Sequence, residues 1–424
     1  MKIFLVPVLL LGAVSVVVGQ NQAATPPQAS PVFEPSPILD ASAILQPAYL
    51  QGPNFRVRNP VPTYGGANAY EIDSDFGVFP ADGNAMLMRR VAEINAIAIL
   101  NGISKTDEFK QAALKAAQSP LVVAKELVTN PVGTISGVPR GIWKFLNQAG
   151  QSVKELGEGR KPDPVDGNVA QNLLGFSKVK RKISLDLGVD PYSTNEVYQE
   201  ALNQVAWPAF AGGFTVNIGT AVATAGIGTA GRALTAVNWT GNFNDILREN
   251  SPADLRLMNL GLLLNMGVSR PDAVAFLNNN AISPTAQTIL VGSLALLGQA
   301  KGREYFIQQA TVSADEHDAL FYQQCAQLMA LVNASAPISA ITLVNGLPLC
   351  LAAGGAVVVP LQWDYVAWTP MAAKFANTVK GLNLGTPPVS YNLVISGVVS
   401  PMAADELAKL GIGISQKQLL NPLK

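Results

Sequence analysis

The spacing of apolar positions changes character several times along the chain, and each change predicts a different element. Over 70–79 the pattern alternates, with Tyr70, Ile72 and Phe76 on one side and Glu71, Asp73 and Asp75 on the other, the period of a half-buried strand or short hairpin. From Asn84 the period becomes helical, with Leu87, Val91, Ile94 and Ala98 on one face, and helical character runs to about Gly157, where Ser119 and Pro120 mark an internal start and Gly137 and Pro139 punctuate it. A further helix is predicted over 169–187, carrying Lys178, Lys180, Arg181 and Lys182, and Gly188 ends it. Ser193 and Glu196 have the S-x-x-E spacing of a capping box at the head of the next helix.

Beyond Trp207 the residues become small. Gly212, Gly213, Gly219, Gly226, Gly228 and Gly231 lie among Ala and Thr, and no charge falls between Glu200 and Arg232. Segment 207–236 is therefore expected to be buried, either in protein or in lipid. Its hydrophobicity is thin for a bilayer, and glycine in a helix interior costs about 1 kcal/mol against alanine, so tertiary packing is the preferred environment. Helix starts then follow in quick succession at Ser251 with Asp254, Ser269 with Asp272, Ser283 before Pro284, and Ser313 with Glu316. From Ile338 the runs ISAITLV, LPLCLAA and AVVVPLQ read as strands separated by Asn345 and Gly346 and by Gly354 and Gly355, followed by a helix over 371–379, a strand over 392–398 and a helix capped by Ser400 and Pro401 and stopped by Gly411. The fold class expected is mainly α, a multi-helix globular domain over 66–335 with an N-terminal strand or hairpin, joined to a small C-terminal α+β module over 336–424.

Before position 66 the sequence suggests no core. Lys2, the apolar run 3–18 and the small residues Val17, Val18 and Gly19 form an export signal, predicting a mature chain from about Gln20 and a periplasmic or extracellular location. Residues 20–65 are rich in Pro, Ala, Gln and Ser and read as a tether. Lys plus Arg and Asp plus Glu both number 29, so no net field draws polyanions, and nucleic acid is not an expected partner. Cys325 and Cys350, the only cysteines, are candidates for a disulfide in an exported chain, with two buried free thiols as the alternative.

The motifs GVDPYSTN, VAWPAFAGGFT, VNGLPLC, AVVVPLQWDYVAWTP and VVSPMAADELAKLGI together resemble a family of bacterial exported proteins of unknown function, over about 73–412. The resemblance implies an envelope setting and no activity.

Literal catalytic signals are outweighed by their settings. Gly226, Gly228 and Gly231 fit G-x-G-x-x-G, with Asp245 near ribose-binding distance, yet no strand pattern follows. Ser177 and Lys180 fit S-x-x-K without the K-[ST]-G that should accompany it, and Lys180 belongs to a basic face. His317 is the single histidine, which removes His-His metal motifs and leaves one imidazole base. Asp73 and Asp75 read as a solvated strand edge rather than calcium ligands. Trp363, Tyr365 and Trp368 are candidates for a ligand-stacking platform, against the alternative of core aromatics. No cofactor or metal is expected. The functional expectation is an exported envelope or secreted protein acting as a non-enzymatic binding or structural component toward an envelope protein or cell-wall ligand. The alternatives are an envelope hydrolase using carboxylates or a lone serine, and a membrane-inserting protein acting through 207–236.

Overall fold

The computed structural model describes residues 32–117, 164–216, 218, 243–385 and 387–424. Glu34–Lys424 form one compact unit, and Met1–Phe33 are a separate unit described only at its last two residues. The export signal, most of the glycine-rich segment and Gly226 to Gly231 with it lie outside the described residues.

The compact unit begins with an antiparallel sheet. β1 (Ile38–Leu39), α1 (Ala41–Ile44), α2 (Pro47–Leu50), β2 (Gln51–Gly52), β3 (Phe55–Val57), β4 (Val61–Tyr64), β5 (Ala67–Ser74) and β6 (Gly77–Asp82) follow in order. The strands are arranged β1-β4-β5-β3-β2, with β6 also pairing β5. The alternation over 70–79 becomes the β5–β6 hairpin, in which Ala69 faces Asp82 and Ser74 faces Gly77. Tyr70 and Ile72 are buried, while Glu71 and Asp73 face solvent and share the guanidinium of Arg58. Exposed pairs of this kind contribute little, because water and salt screen them.

α3 (Asn84–Ser104) runs across this sheet and is buried along most of its length. α6 (Glu196–Ala211) packs on α3, with α4 (Asp107–Ala117) and α5 (Pro164–Asp186) packed against α6, and their core is continuous with the sheet, joining Phe55, Val61, Tyr70 and Ile72 to Leu87, Ile94, Leu100, Leu202 and Trp207. α7 (Phe243–Glu249) packs on α5, and α8 (Pro252–Asn265), α9 (Arg270–Asn278), α10 (Pro284–Ala295), α11 (Arg303–Ala310) and α12 (Glu316–Ser335) make the second helical layer. α10 is its buried centre, covered on every side and flanked by α8 and α12.

The C-terminal sheet comprises β7 (Ile338–Val344), β8 (Leu347–Ala352), β9 (Ala356–Leu361), β11 (Ser390–Ile395) and β13 (Ile412–Ser415), in the order β13-β11-β9-β8-β7. β7, β8 and β9 are antiparallel, whereas β9, β11 and β13 are parallel. Parallel neighbours need crossovers, here supplied by α13 (Pro370–Lys380) and α14 (Pro401–Lys409). The short strands β10 (Tyr365–Val366) and β12 (Val398–Val399) form a third, two-stranded parallel sheet.

The mainly α fold class is therefore corrected. The structure is 51% helical and 20% strand, with three sheets among the described residues, so it is an α+β structure rather than helices carrying a small terminal module. The physical reason lies in strand length. β1 to β4 are two to four residues each, too short to display a period, and they sit in the Pro-rich stretch read as tether. Their partners settle their structure: β1 pairs β4, and Leu45 bridges Leu423 near the other end of the chain. No helix among the described residues is long and apolar enough to cross a membrane.

Candidate functional site

The stretch Gln362-Trp363-Asp364 leaves β9 and passes under the turn between β4 and β5. The main-chain N–H groups of Asp364 and Tyr365 donate to the Gly66 carbonyl at 2.7 and 3.2 Å, and Gly397 donates to Trp363 at 2.7 Å. This strap places Asp364 at the seam between the N-terminal sheet and the C-terminal module. One carboxylate oxygen, Oδ2, accepts the main-chain N–H groups of Asn68 and Asn84, each at 3.0 Å, and Oδ1 accepts Gln362 Nε2 at 3.0 Å. Asn84 is the first residue of α3, whose N-cap, Gly83, has no side chain to offer. Asp364 thus does for α3, from across the seam, what an N-cap side chain ordinarily does within the same helix.

Burial pushes the Asp364 carboxyl up to about 7, against the opposite pull of its donors and of His317. The three groups converge around Gly83: a methyl group there would lie 3.4 Å from Asp364 Oδ2, 3.5 Å from Gln362 Nε2 and 3.7 Å from His317 Cε1. His317 Nδ1 lies 2.7 Å from the Asp82 carbonyl. A carbonyl can only accept, so Nδ1 carries a proton. Behind Asp364, Asn68, Tyr70 and Asn84 bond to one another, with Tyr70 Oη 2.6 Å from Asn84 Oδ1 and Thr63 Oγ1 2.8 Å from Asn68 Oδ1.

A second buried network holds the first turn of α12, and so His317, in place. Glu316 pairs with Arg89 and, at 2.9 Å, with Arg90, and also accepts Thr194 Oγ1. Burial works against the Glu316 carboxylate, but the two arginines outweigh it and hold the carboxyl at about 2. Glu93, fully buried within α3, accepts Ser193 Oγ, Asn195 Nδ2 at 2.8 Å and Arg90 Nη1 at 2.7 Å. Asp190 accepts Thr285 Oγ1 at 2.7 Å and Ser283 Oγ at 3.2 Å. The loop 190–195 thereby ties α3, α10 and α12 together. The capping box expected at Ser193 and Glu196 is not formed, because Ser193 is drawn to Glu93 and Asn195 caps α6 through Tyr198 N.

Beside the seam lies a cleft of about 170 Å³ lined by Leu39, Ala43, Ile44, Asn68, Tyr365, Val398, Leu423 and Lys424. Both ends of the compact unit, the N-terminal sheet and the two-stranded sheet contribute to it. An apolar space of about 150 Å³ admits a benzene ring, so its size suits one ring or a branched aliphatic group. A second space, under α13, holds only about 30 Å³ and is interior packing.

The three aromatics expected to form a platform divide between these two places. Trp363 and Trp368 line the interior space, Trp363 meeting Phe375 edge to face at 5.8 Å, while Tyr365 alone turns toward the seam cleft. Cys325 on α12 and Cys350 on β8 are free and fully buried, with no disulfide between them. Burial pushes both thiols up, Cys325 to about 12 and Cys350 further, with the neighbouring Cys325 adding to the shift. Lys180 donates to Gln199 Oε1 at 3.0 Å, and burial lowers its ammonium to about 8; no hydrogen bond joins it to Ser177. Asp245 lies on α7, and among the described residues no strand occurs between β6 and β7, so it belongs to no βαβ unit. Among the described residues no group of three or more metal-ligating side chains converges.

Asp364, Gln362, Asn68 and Asn84 were not singled out by sequence reasoning. The available signal was an acid set inside an otherwise apolar and aromatic run, LQWDYVAW, where an uncompensated charge would be costly.

Searches of family models, curated proteins and solved structures found no match to this chain.

Proposed function

We propose that the protein is an exported, non-enzymatic binding component and that the seam cleft is its ligand site, receiving a single-ring aromatic or branched apolar group of an envelope or cell-wall ligand. The observation that carries this reading is the cleft itself, large enough for one ring and lined by the apolar Leu39, Ile44, Val398 and Leu423 with Tyr365, Asn68 and Lys424 among them. The polar groups beside it support binding over catalysis, because both Asp364 oxygens are engaged by the protein's own donors and Asn68 is bonded to Thr63, Tyr70 and Asn84. Export is supported by the basic, apolar and small-residue succession over 2–19.

Saturation-transfer NMR and calorimetric titration with p-cresol, a probe of the cleft's size, test the reading. Saturable binding that is lost in Ala43→Phe, which fills the cleft from its rim, is the expected result. Binding unchanged in Ala43→Phe, or none in the wild type, contradicts it. One observation favours the hydrolase alternative: a carboxyl near 7 beside the molecule's single imidazole. Ester or glycoside turnover abolished by Asp364→Asn would replace the binding reading with that one.

A further inference from the structure

α8 is apolar on two sides, and only one of them is covered. Leu255, Asn259 and Leu263 are buried, and Asn259 Nδ2 donates to Thr288 Oγ1 of α10 at 3.0 Å. On the other side Asp254, Leu257, Met258, Gly261, Leu262 and Asn265 recur at intervals of three and four and are all exposed, Leu257 by 67%, Met258 by 41% and Leu262 by 37%. Arg256 is turned away, donating to the Leu277 carbonyl and, at 2.6 Å, to Asn278 Oδ1, so the stretch between Asp254 and Asn265 presents no charge. The outward face of a surface helix is ordinarily polar, and a second apolar side marks an interaction surface.

Gly261 is a second, independent observation. Its φ is not in the left-handed region, and a Cβ added there would meet nothing within 4 Å. Neither conformation nor space within the chain therefore requires glycine, although glycine is among the poorest formers of a helix interior. Close approach of another backbone would require it.

The order of residues on this face identifies what approaches. In an antiparallel pairing of two copies about a two-fold axis between Asn259 and Leu260, Asp254 meets Asn265 of the other copy, Leu257 meets Leu262, and Met258 meets Gly261. The large side chain thus falls against the position that has none. Asp254 spends only Oδ2 on its cap with Ser251, and neither its Oδ1 nor the Asn265 amide has a hydrogen-bond partner among the described residues, so an acceptor meets a donor at each end. A parallel pairing would set Asp254 against Asp254 and Gly261 against Gly261, giving like charges and a void.

We infer that the exposed face of α8 is a self-association surface, on which a second copy of this chain docks its own α8 in antiparallel register. The matched stretch is about 16 Å of helix. So narrow a contact suits a weak, concentration-dependent dimer. No residue of α8 lines the seam cleft, so the dimer would leave the cleft open.

Sedimentation equilibrium of the full chain from about 1 to about 300 μM tests the inference, a range that brackets weak association. The wild type should pass from monomer to dimer. Gly261→Gln should abolish the dimer while melting at the same or a higher temperature, because the new side chain enters open space and replaces a poor helix former. Leu257→Glu should also remain monomeric. Asn265→Lys, which sets a cation against Asp254, should tighten association several-fold, and Asn265→Asp should weaken it. An equimolar mixture of Leu257→Cys and Leu262→Cys chains should form disulfide-linked dimers faster than either variant alone. A wild type that stays monomeric throughout, a dimer unchanged in folded Gly261→Gln and Leu257→Glu variants, or faster cross-linking of either cysteine variant with itself overturns the inference. So does flotation of a monomer with phosphatidylcholine vesicles that is lost in Leu257→Glu, which would assign the face to a lipid surface.

Discussion

Asp364 and Glu316 are buried carboxyls in two separate networks, and they respond to pH with opposite signs. Asp364 has its folded value raised from 3.8 to about 7 by burial. The folded state therefore holds a proton that the unfolded chain releases, and stability falls as pH rises from about 4 to about 7, by up to about 4 kcal/mol for a fully buried group. Glu316 is the reverse, lowered from 4.5 to about 2 by Arg89 and Arg90 despite its burial. Its contribution is present above about 4.5 and is lost as pH falls through about 2, again on the order of 3 kcal/mol. Together the two groups favour the fold most near pH 4 to 5. Urea unfolding as a function of pH should show Asp364→Asn flattening the limb above pH 4 and Glu316→Gln flattening the limb below it. A wild-type stability that rises from pH 4 to 7, with the same slope in Asp364→Asn, would show that the burial of Asp364 does not govern that limb.

Helix starts divide between those set by neighbours in sequence and those set by distant partners. Ser251 forms a reciprocal capping box with Asp254, and Ser269, Ser283 and Ser400 cap their helices through local N–H groups. Asn195 has two roles, capping α6 and donating to buried Glu93. Ser251→Ala should therefore cost about 1 kcal/mol in urea denaturation, the ordinary value of a cap. Asn195→Ala should cost that and a further 1.5 to 3 kcal/mol or so for the lost bond to a charged group. Equal losses in the two variants would mean that Glu93 does not rely on Asn195.

The same division explains what could be read from the sequence. The four local caps and the β7–β8 hairpin, where Asn345 and Gly346 take φ +51 and +79, follow from adjacent residues. The cap of α12 is Asp315 rather than Ser313, which instead donates to the Ala310 carbonyl, a choice made by the preceding helix. β1 to β4 were illegible because strands this short acquire structure only from their pairing. The site was illegible for a related reason: the N–H groups that Asp364 accepts lie 296 and 280 residues away.

At the scale of the whole molecule, the seam makes two sheets and two helical layers into one body. Asp364 links the C-terminal strap to β5 and α3, Glu34 donates its N–H to Trp368 at 2.9 Å and accepts from Trp368 N and Ser400 Oγ, and the last residues pair with the segment around Leu45. Gly397 fits under the strap so closely that a Cβ would lie 2.0 Å from the Asp364 carbonyl oxygen. The cleft exists only where these parts meet, so it persists only while they remain together. Differential scanning calorimetry of the wild type, Asp364→Ala and Gly397→Ala tests this most directly. The structure predicts one cooperative transition in the wild type and, in the variants, a separate, lower-temperature transition as the C-terminal module is released from the N-terminal sheet. Two transitions in the wild type, with the C-terminal module melting independently and at the same temperature in all three proteins, would contradict it.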